Sequence, residues 1–72
     1  MNVDAVLGKL GVVQEQIDNL AGTGSVKVGS LVWTARSADG SVIPAQSIIT
    51  VKEVAGVKLI CELSDKDETE TN

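Results

Sequence analysis

The sequence predicts a small all-β domain of about five short strands, most economically closed as a compact barrel. Three observations carry this. Turn signals recur every eight to fourteen residues. The stretches between them are rich in Val, Ile and Thr and alternate apolar with polar side chains. The chain has 72 residues, enough for one domain that buries only about 60% of its unfolded surface. A strand meander this short leaves exposed edges unless it closes on itself.

The N-terminal twenty residues admit two readings. Val3, Val6, Leu10, Val13, Ile17 and Leu20 recur in alternating steps of three and four, a helical spacing that Asn2 or Asp4 would cap. Gly8 and Gly11 oppose it, each costing about 1 kcal/mol relative to Ala inside a helix. Gly11 to Ile17 also reads as a strand, with glycine allowing a bulge. Val26-Lys27-Val28 alternates, and Gly29-Ser30 is a two-residue hairpin turn with glycine first. Leu31 to Arg36 then places Leu31, Trp33 and Ala35 on one face and Val32, Thr34 and Arg36 on the other. Asp39-Gly40 turns, and Val42-Ile43 is a short strand stopped by Pro44. Ile48 to Val54 is β-branched at five of seven positions. Ala55-Gly56 turns the chain, and Val57, Leu59, Cys61 and Leu63 share the inward face of the last strand. Trp33 is the one large ring in the chain, so it is expected at the barrel centre.

Composition excludes several function classes. The chain has eleven Val, five Ile and six Leu, but no Phe, Tyr or His and a single Cys. A Ser-His-Asp triad, a Cys-His dyad, a structural zinc cluster and an internal disulfide are therefore excluded. The net charge is −4, of which residues 64–72 carry −3 through Asp65, Asp67, Glu68 and Glu70 against Lys66. These residues are expected to form a solvated acidic tail. No basic stripe is present to neutralise phosphates, and only Trp33 is available to stack on a base, so no nucleic-acid partner is expected. No run approaches the roughly 18 apolar residues of a membrane span, and no signal peptide opens the chain. The polypeptide is expected to be soluble, and the lone Cys61 suits a reducing compartment.

Candidate chemistry is sparse. Ser25, Ser30, Ser37, Ser41 and Ser47 lie in turns or at strand ends, but nothing pairs one with an activated lysine and an oxyanion hole. The tail acids lack the central glycine and closing Glu of a calcium loop. Cys61 is expected inside the core as a small apolar residue. No catalytic residue, metal or cofactor is expected.

The ordered run of residues resembles a known family. It comprises Gly8-Lys9-Leu10-Gly11-Val12-Val13, Glu15-Gln16-Ile17-Asp18, Gly24-Ser25-Val26-Lys27-Val28-Gly29, Trp33-Thr34-Ala35-Arg36-Ser37, Asp39-Gly40-Ser41-Val42-Ile43-Pro44, and Val51 to Ile60. Over residues 7–62 the chain is similar to the C-terminal soluble domain of the NfeD family. The resemblance implies a five-stranded OB-like barrel, with residues 10–17 as its first strand and at most a helical stub over residues 2–6. It divides the chain into a stub at residues 1–6, a barrel at 7–63 and a tail at 64–72. Three positions depart from the family pattern. Gln46 replaces glycine, so its turn must avoid positive φ or carry strain. Leu31 replaces an acidic residue, and Cys61 replaces a β-branched one.

The expected function is a non-enzymatic interaction module, the soluble barrel of a protein anchored in the membrane by a segment outside this chain. The resemblance implies a stomatin- or flotillin-like protein partner and an effect on membrane organisation or membrane proteolysis. The unpaired cysteine leans toward a cytoplasmic face. Leu31, Val32, Val42 and Ile43 form the candidate partner-binding patch. The alternatives are an oligonucleotide-binding barrel and an accessory domain that positions a serine protease in a longer chain. Removing residues 64–72 should leave the fold intact, because that segment has no apolar residue to bury. A thermal melt checks this, and a large drop in melting temperature would show that the tail packs on the barrel.

Overall fold

The structure, a computed structural model, describes residues 3–64. A single 3₁₀ turn, Val3–Val6, precedes strands β1 (Leu10–Asp18), β2 (Thr23–Val28), β3 (Leu31–Ser37), β4 (Ile48–Ala55) and β5 (Lys58–Leu63). They form one closed barrel in the order β1-β2-β3-β5-β4. Every neighbouring pair is antiparallel except β3 and β5, which run parallel. This is the expected five-stranded OB-like barrel.

The ambiguous N-terminus is a strand, and its helical spacing has a physical origin. Val13 and Ile17 are both fully buried although four residues apart, so a regular strand would also turn Glu15 inward. The pairing of β1 with β2 shifts register between Val13 and Glu15 and again before Asp18, and Glu15 faces solvent. The steps of three and four are thus the mark of a bulged strand. Strand β1 also closes the ring, pairing Leu10, Gly11 and Val12 with Thr50, Ile49 and Ile48.

The core draws on every strand: Val13, Ile17, Val26, Ala35, Ile49, Val51, Leu59 and Cys61 are each at most 1% exposed. Cys61 lies inside as expected, and burial pushes its thiol up to about 11. The connection over residues 38–47 adds Ile43, itself 1% exposed. Val42-Ile43 is not a strand. Ile43 makes one bridge to Ile17, with reciprocal backbone hydrogen bonds of 2.8 and 2.9 Å.

Three further expectations are corrected. Trp33 is only half-buried and lies at the margin of the core. Strand β3 enters the barrel obliquely, so on one face exposure falls from 49% at Leu31 to 0% at Ala35. Ala35 occupies the centre because there is no room for a ring: a Cβ on Gly24 would already stand 2.7 Å from the Ala35 carbonyl and 3.0 Å from Ile17 Cα. The β4–β5 turn is Gly56-Val57, one residue later than the sequence suggested, since Ala55 pairs with Lys58. Val57 is therefore 79% exposed at the turn, and Leu63 at the far end of β5 is 53% exposed. Ser64 is buried just beyond the end of β5, and its N–H donates to the Ile48 carbonyl at 3.0 Å. The expected acidic tail from residue 65 onward lies outside the described residues.

Gln46 takes the strained alternative, with φ 78°. Its N–H donates to the Val13 carbonyl at 2.8 Å, which holds the loop against β1. A left-handed conformation costs a non-glycine residue roughly 1–2 kcal/mol, while glycine adds about 0.4–1 kcal/mol of unfolded-state entropy. Gln46→Gly should therefore stabilise the domain by about 0.5–1 kcal/mol in denaturant unfolding. Gly24→Ala should destabilise it by about 1–3 kcal/mol, because Gly24 combines φ 138° with the close contacts above.

Candidate functional site

Polar chemistry gathers at the loops where β1 ends and β3 ends. Asp39 Oδ1 accepts from Ser37 Oγ at 2.9 Å, Ser41 Oγ at 2.7 Å and the Ser41 N–H at 3.0 Å. The Ser41 hydroxyl and N–H, then the Ser37 hydroxyl, lower the Asp39 carboxyl from 3.8 to about 2. Asn19 pairs its side-chain amide with the backbone of Ser37, accepting at 2.8 Å and donating at 3.0 Å, as a neighbouring strand would. Arg36 Nη2 donates to the Gly22 carbonyl at 3.0 Å. The Asp18 carboxylate accepts from the N–H groups of Leu20 and Ala21. Most of these bonds satisfy backbone groups of connecting loops, and the one carboxylate beside serine hydroxyls, Asp39, is held at about 2 and is a correspondingly weak base. Among the described residues no group of His, Cys, Asp and Glu is arranged to hold a metal ion.

The other prominent surface is apolar and lies on the outer face of the barrel. Val12 is paired with Ile48 on one side and Lys27 on the other, and Lys27 is paired with Val32. Directly opposed residues share a face. Ile48, Val12, Lys27 and Val32 therefore form one row across β4, β1, β2 and β3, opposite in sense to the buried pair Val13 and Val26. A groove of about 280 Å³ follows this row, lined by Leu10, Gly11, Val12, Lys27, Gly29 and Ile48. Gly11 itself faces inward, opposite Ile49, where a Cβ would meet the Lys27 carbonyl at 2.8 Å and Val28 Cγ2 at 2.9 Å, so its lack of a side chain lets β1 and β2 approach closely beneath the groove. Lys27 has no ion-pair partner among the described residues.

The four residues expected to form a patch are divided by the fold. Leu31 and Val32, 49% and 60% exposed, lie together at the start of β3 beside the row. Val42 is 51% exposed, but its neighbour Ile43 bridges Ile17, five positions along β1 from Val12. At about 3.3 Å per residue that is roughly 16 Å away. Ile43 is in the core and is corrected as a contact residue. Leu10, Val12 and Ile48, which line the groove, were not among the residues singled out from the sequence. Their signal was present: Leu10-Gly11-Val12-Val13 and Ile48-Ile49 are apolar on both strand faces, more than a one-sided core requires.

A family model for the NfeD-like C-terminal, partner-binding domain matches residues 3–62. The chain belongs to the NfeD-like family. Two solved structures share the barrel. One is the soluble domain of a membrane protein implicated in regulation of membrane protease activity from Corynebacterium glutamicum. It is 26% identical with a TM-score of 0.76, covering 83% of this chain and 94% of that one. The other is the C-terminal domain of a stomatin operon partner protein from Pyrococcus horikoshii. It is 28% identical with a TM-score of 0.74, covering 85% of this chain and 91% of that one. Comparison with curated protein sequences finds no significant match. Among the described residues no helix is long and apolar enough to cross a membrane.

The lowered Asp39 carboxyl gives a pH signature. A depressed folded-state pKa contributes stability above the ordinary carboxylate range and loses it as pH falls from about 4 toward about 2. Denaturant midpoints of the native domain should fall through that window more steeply than those of Asp39→Asn. The exposed, solvent-screened carboxylate makes this a small difference.

Proposed function

We propose that this domain is a non-enzymatic protein-interaction module, the soluble barrel of a membrane-anchored NfeD-like protein. The observation that carries the reading is the outer row Ile48, Val12, Lys27 and Val32 with its groove: four strands each turn a side chain to one surface, and the only charge in the row is an unpaired lysine. Such a surface suits a protein segment that brings apolar side chains and one carboxylate to meet Lys27. The partner is a stomatin- or flotillin-like protein, and binding it affects membrane organisation or membrane proteolysis. The partner-binding character of the family and the descriptions of the Pyrococcus and Corynebacterium proteins support this. The loop hydrogen bonds, which join Asp39 to two serines and Asn19 to a backbone, support a role without catalysis.

Titration against a purified stomatin-like protein tests the reading. Val12→Asp and Val32→Asp should each weaken binding by about tenfold or more, since each buries a new charge at an apolar contact. Val42→Asp should leave affinity unchanged, and circular dichroism should show all three variants folded. Equal loss from Val42→Asp would exclude this surface. Tight, steeply salt-dependent binding to single-stranded oligonucleotide instead would overturn the protein-partner reading.

A further inference from the structure

We infer that the end of the barrel at which β1, β3 and β5 begin rests on an anionic lipid surface. Strands β1 and β3 run in the same sense because both are antiparallel to β2, and β5 is parallel to β3. All three therefore start at one end. Leu7 just before β1, Leu31 at the head of β3 and Val57 in the turn before β5 are 45%, 49% and 79% exposed there.

Apolar exposure alone does not choose the occupant. The opposite end also presents Leu20, Val42 and Leu63. Charge separates the two. Lys9 precedes β1, Lys27 stands two residues before the Gly29-Ser30 turn, and Lys58 opens β5; all three are exposed. Glu53 is the acidic side chain described near them. At the opposite end Asp18 closes β1 and Asp39 follows β3, with Arg36 beside the end of β3, while Glu62 near the end of β5 is ion-paired with Lys52 at 3.3 Å. One end thus joins apolar tips to an excess of cations, Lys9, Lys27 and Lys58 against Glu53, and the other joins apolar tips to a smaller excess of carboxylates, Asp18 and Asp39 against Arg36. Shallow apolar insertion combined with lysine attraction is the recipe for binding an anionic interface, and it repels such a surface from the acidic end. The 3₁₀ turn packs against β4, and Val6 belongs to the barrel core, so the chain also enters the barrel from this side. Lys27 is shared with the lateral groove of the protein-partner reading, but the lipid contact rests on Leu7, Leu31, Val57, Lys9 and Lys58, which that reading does not use.

Trp33, the sole aromatic residue, supplies a native probe. It lies two residues beyond Leu31 on β3, roughly 7 Å along the strand. The experiment mixes the whole chain with vesicles of equal parts phosphatidylglycerol and phosphatidylcholine carrying brominated acyl chains. Trp33 emission should be quenched at low salt, and quenching should be lost with pure phosphatidylcholine and reduced by added salt. Leu31→Asp and Val57→Asp should abolish it, whereas Leu20→Asp and Leu63→Asp at the other end should not. Lys9→Gln and Lys58→Gln should each weaken vesicle affinity about fivefold. Val12→Asp should leave vesicle binding intact and lose the protein partner, which separates the two readings. Absence of quenching and co-sedimentation with anionic vesicles at low salt overturns the inference. So does equal loss from the variants at the opposite end.

Discussion

Strand β1 has to serve two neighbours, and the rest of the domain depends on its doing so. It gives one edge to β2 from Val12 to Asp18 and the other to β4 from Leu10 to Val12. A flat strand cannot do this in a ring of five, so β1 coils through two register shifts, and Gly11 removes the side chain that would strike β2. Closure eliminates exposed sheet edges and encloses a core built from small aliphatic residues. It also makes the outer surface. Ile48 stands beside Val12 only because β4 returns to β1, so the lateral groove exists only in the closed ring.

The two candidate surfaces differ from the hydrogen-bonded loops in what their residues already have. Asp39, Asn19, Asp18 and Arg36 spend their polar atoms on neighbouring backbone or serines. They fix loops and leave little capacity to recognise anything else. Lys27, between Val12 and Val32, has no such commitment among the described residues, and its apolar neighbours gain by being covered.

Much of this was legible from the chain because local chemistry and global fold agree at most positions. Gly29-Ser30 specified its hairpin without ambiguity, and Cys61 alternated inward with Leu59 as the pleat requires. The errors have a common cause, which is that local pattern does not report where a strand leaves the core. Trp33 has the right parity to face inward, but β3 enters obliquely and the space at Ala35 is already filled by Gly24 and Ile17. Val57 fits the alternation of β5, yet the turn claims it. Ile43 sits beside a proline in a connection rich in turn residues, and only the long-range bridge to Ile17 shows that it seals the core. The groove was the least legible element, because it depends on which strand pairs with which, and β1 with β4 is a pairing no short-range signal announces.

The parallel pairing of β3 with β5 bears on how the molecule comes to exist. Its two strands are joined through β4 and a hairpin, and the contact between Ala35 and Leu59 spans a third of the chain. The β2–β3 and β4–β5 hairpins are local and form on the microsecond scale. Neither buries the Ile17, Ile43 and Leu59 side chains that supply the core, and those become dry only when both halves meet and β1 closes the circle. Acquisition of the native state is therefore a late, cooperative encounter across the chain, slow for so short a polypeptide. Until that encounter the hairpins expose unpaired edges and apolar faces together, so crowding, chaperone capture or self-association competes with assembly during this interval more than at any later stage.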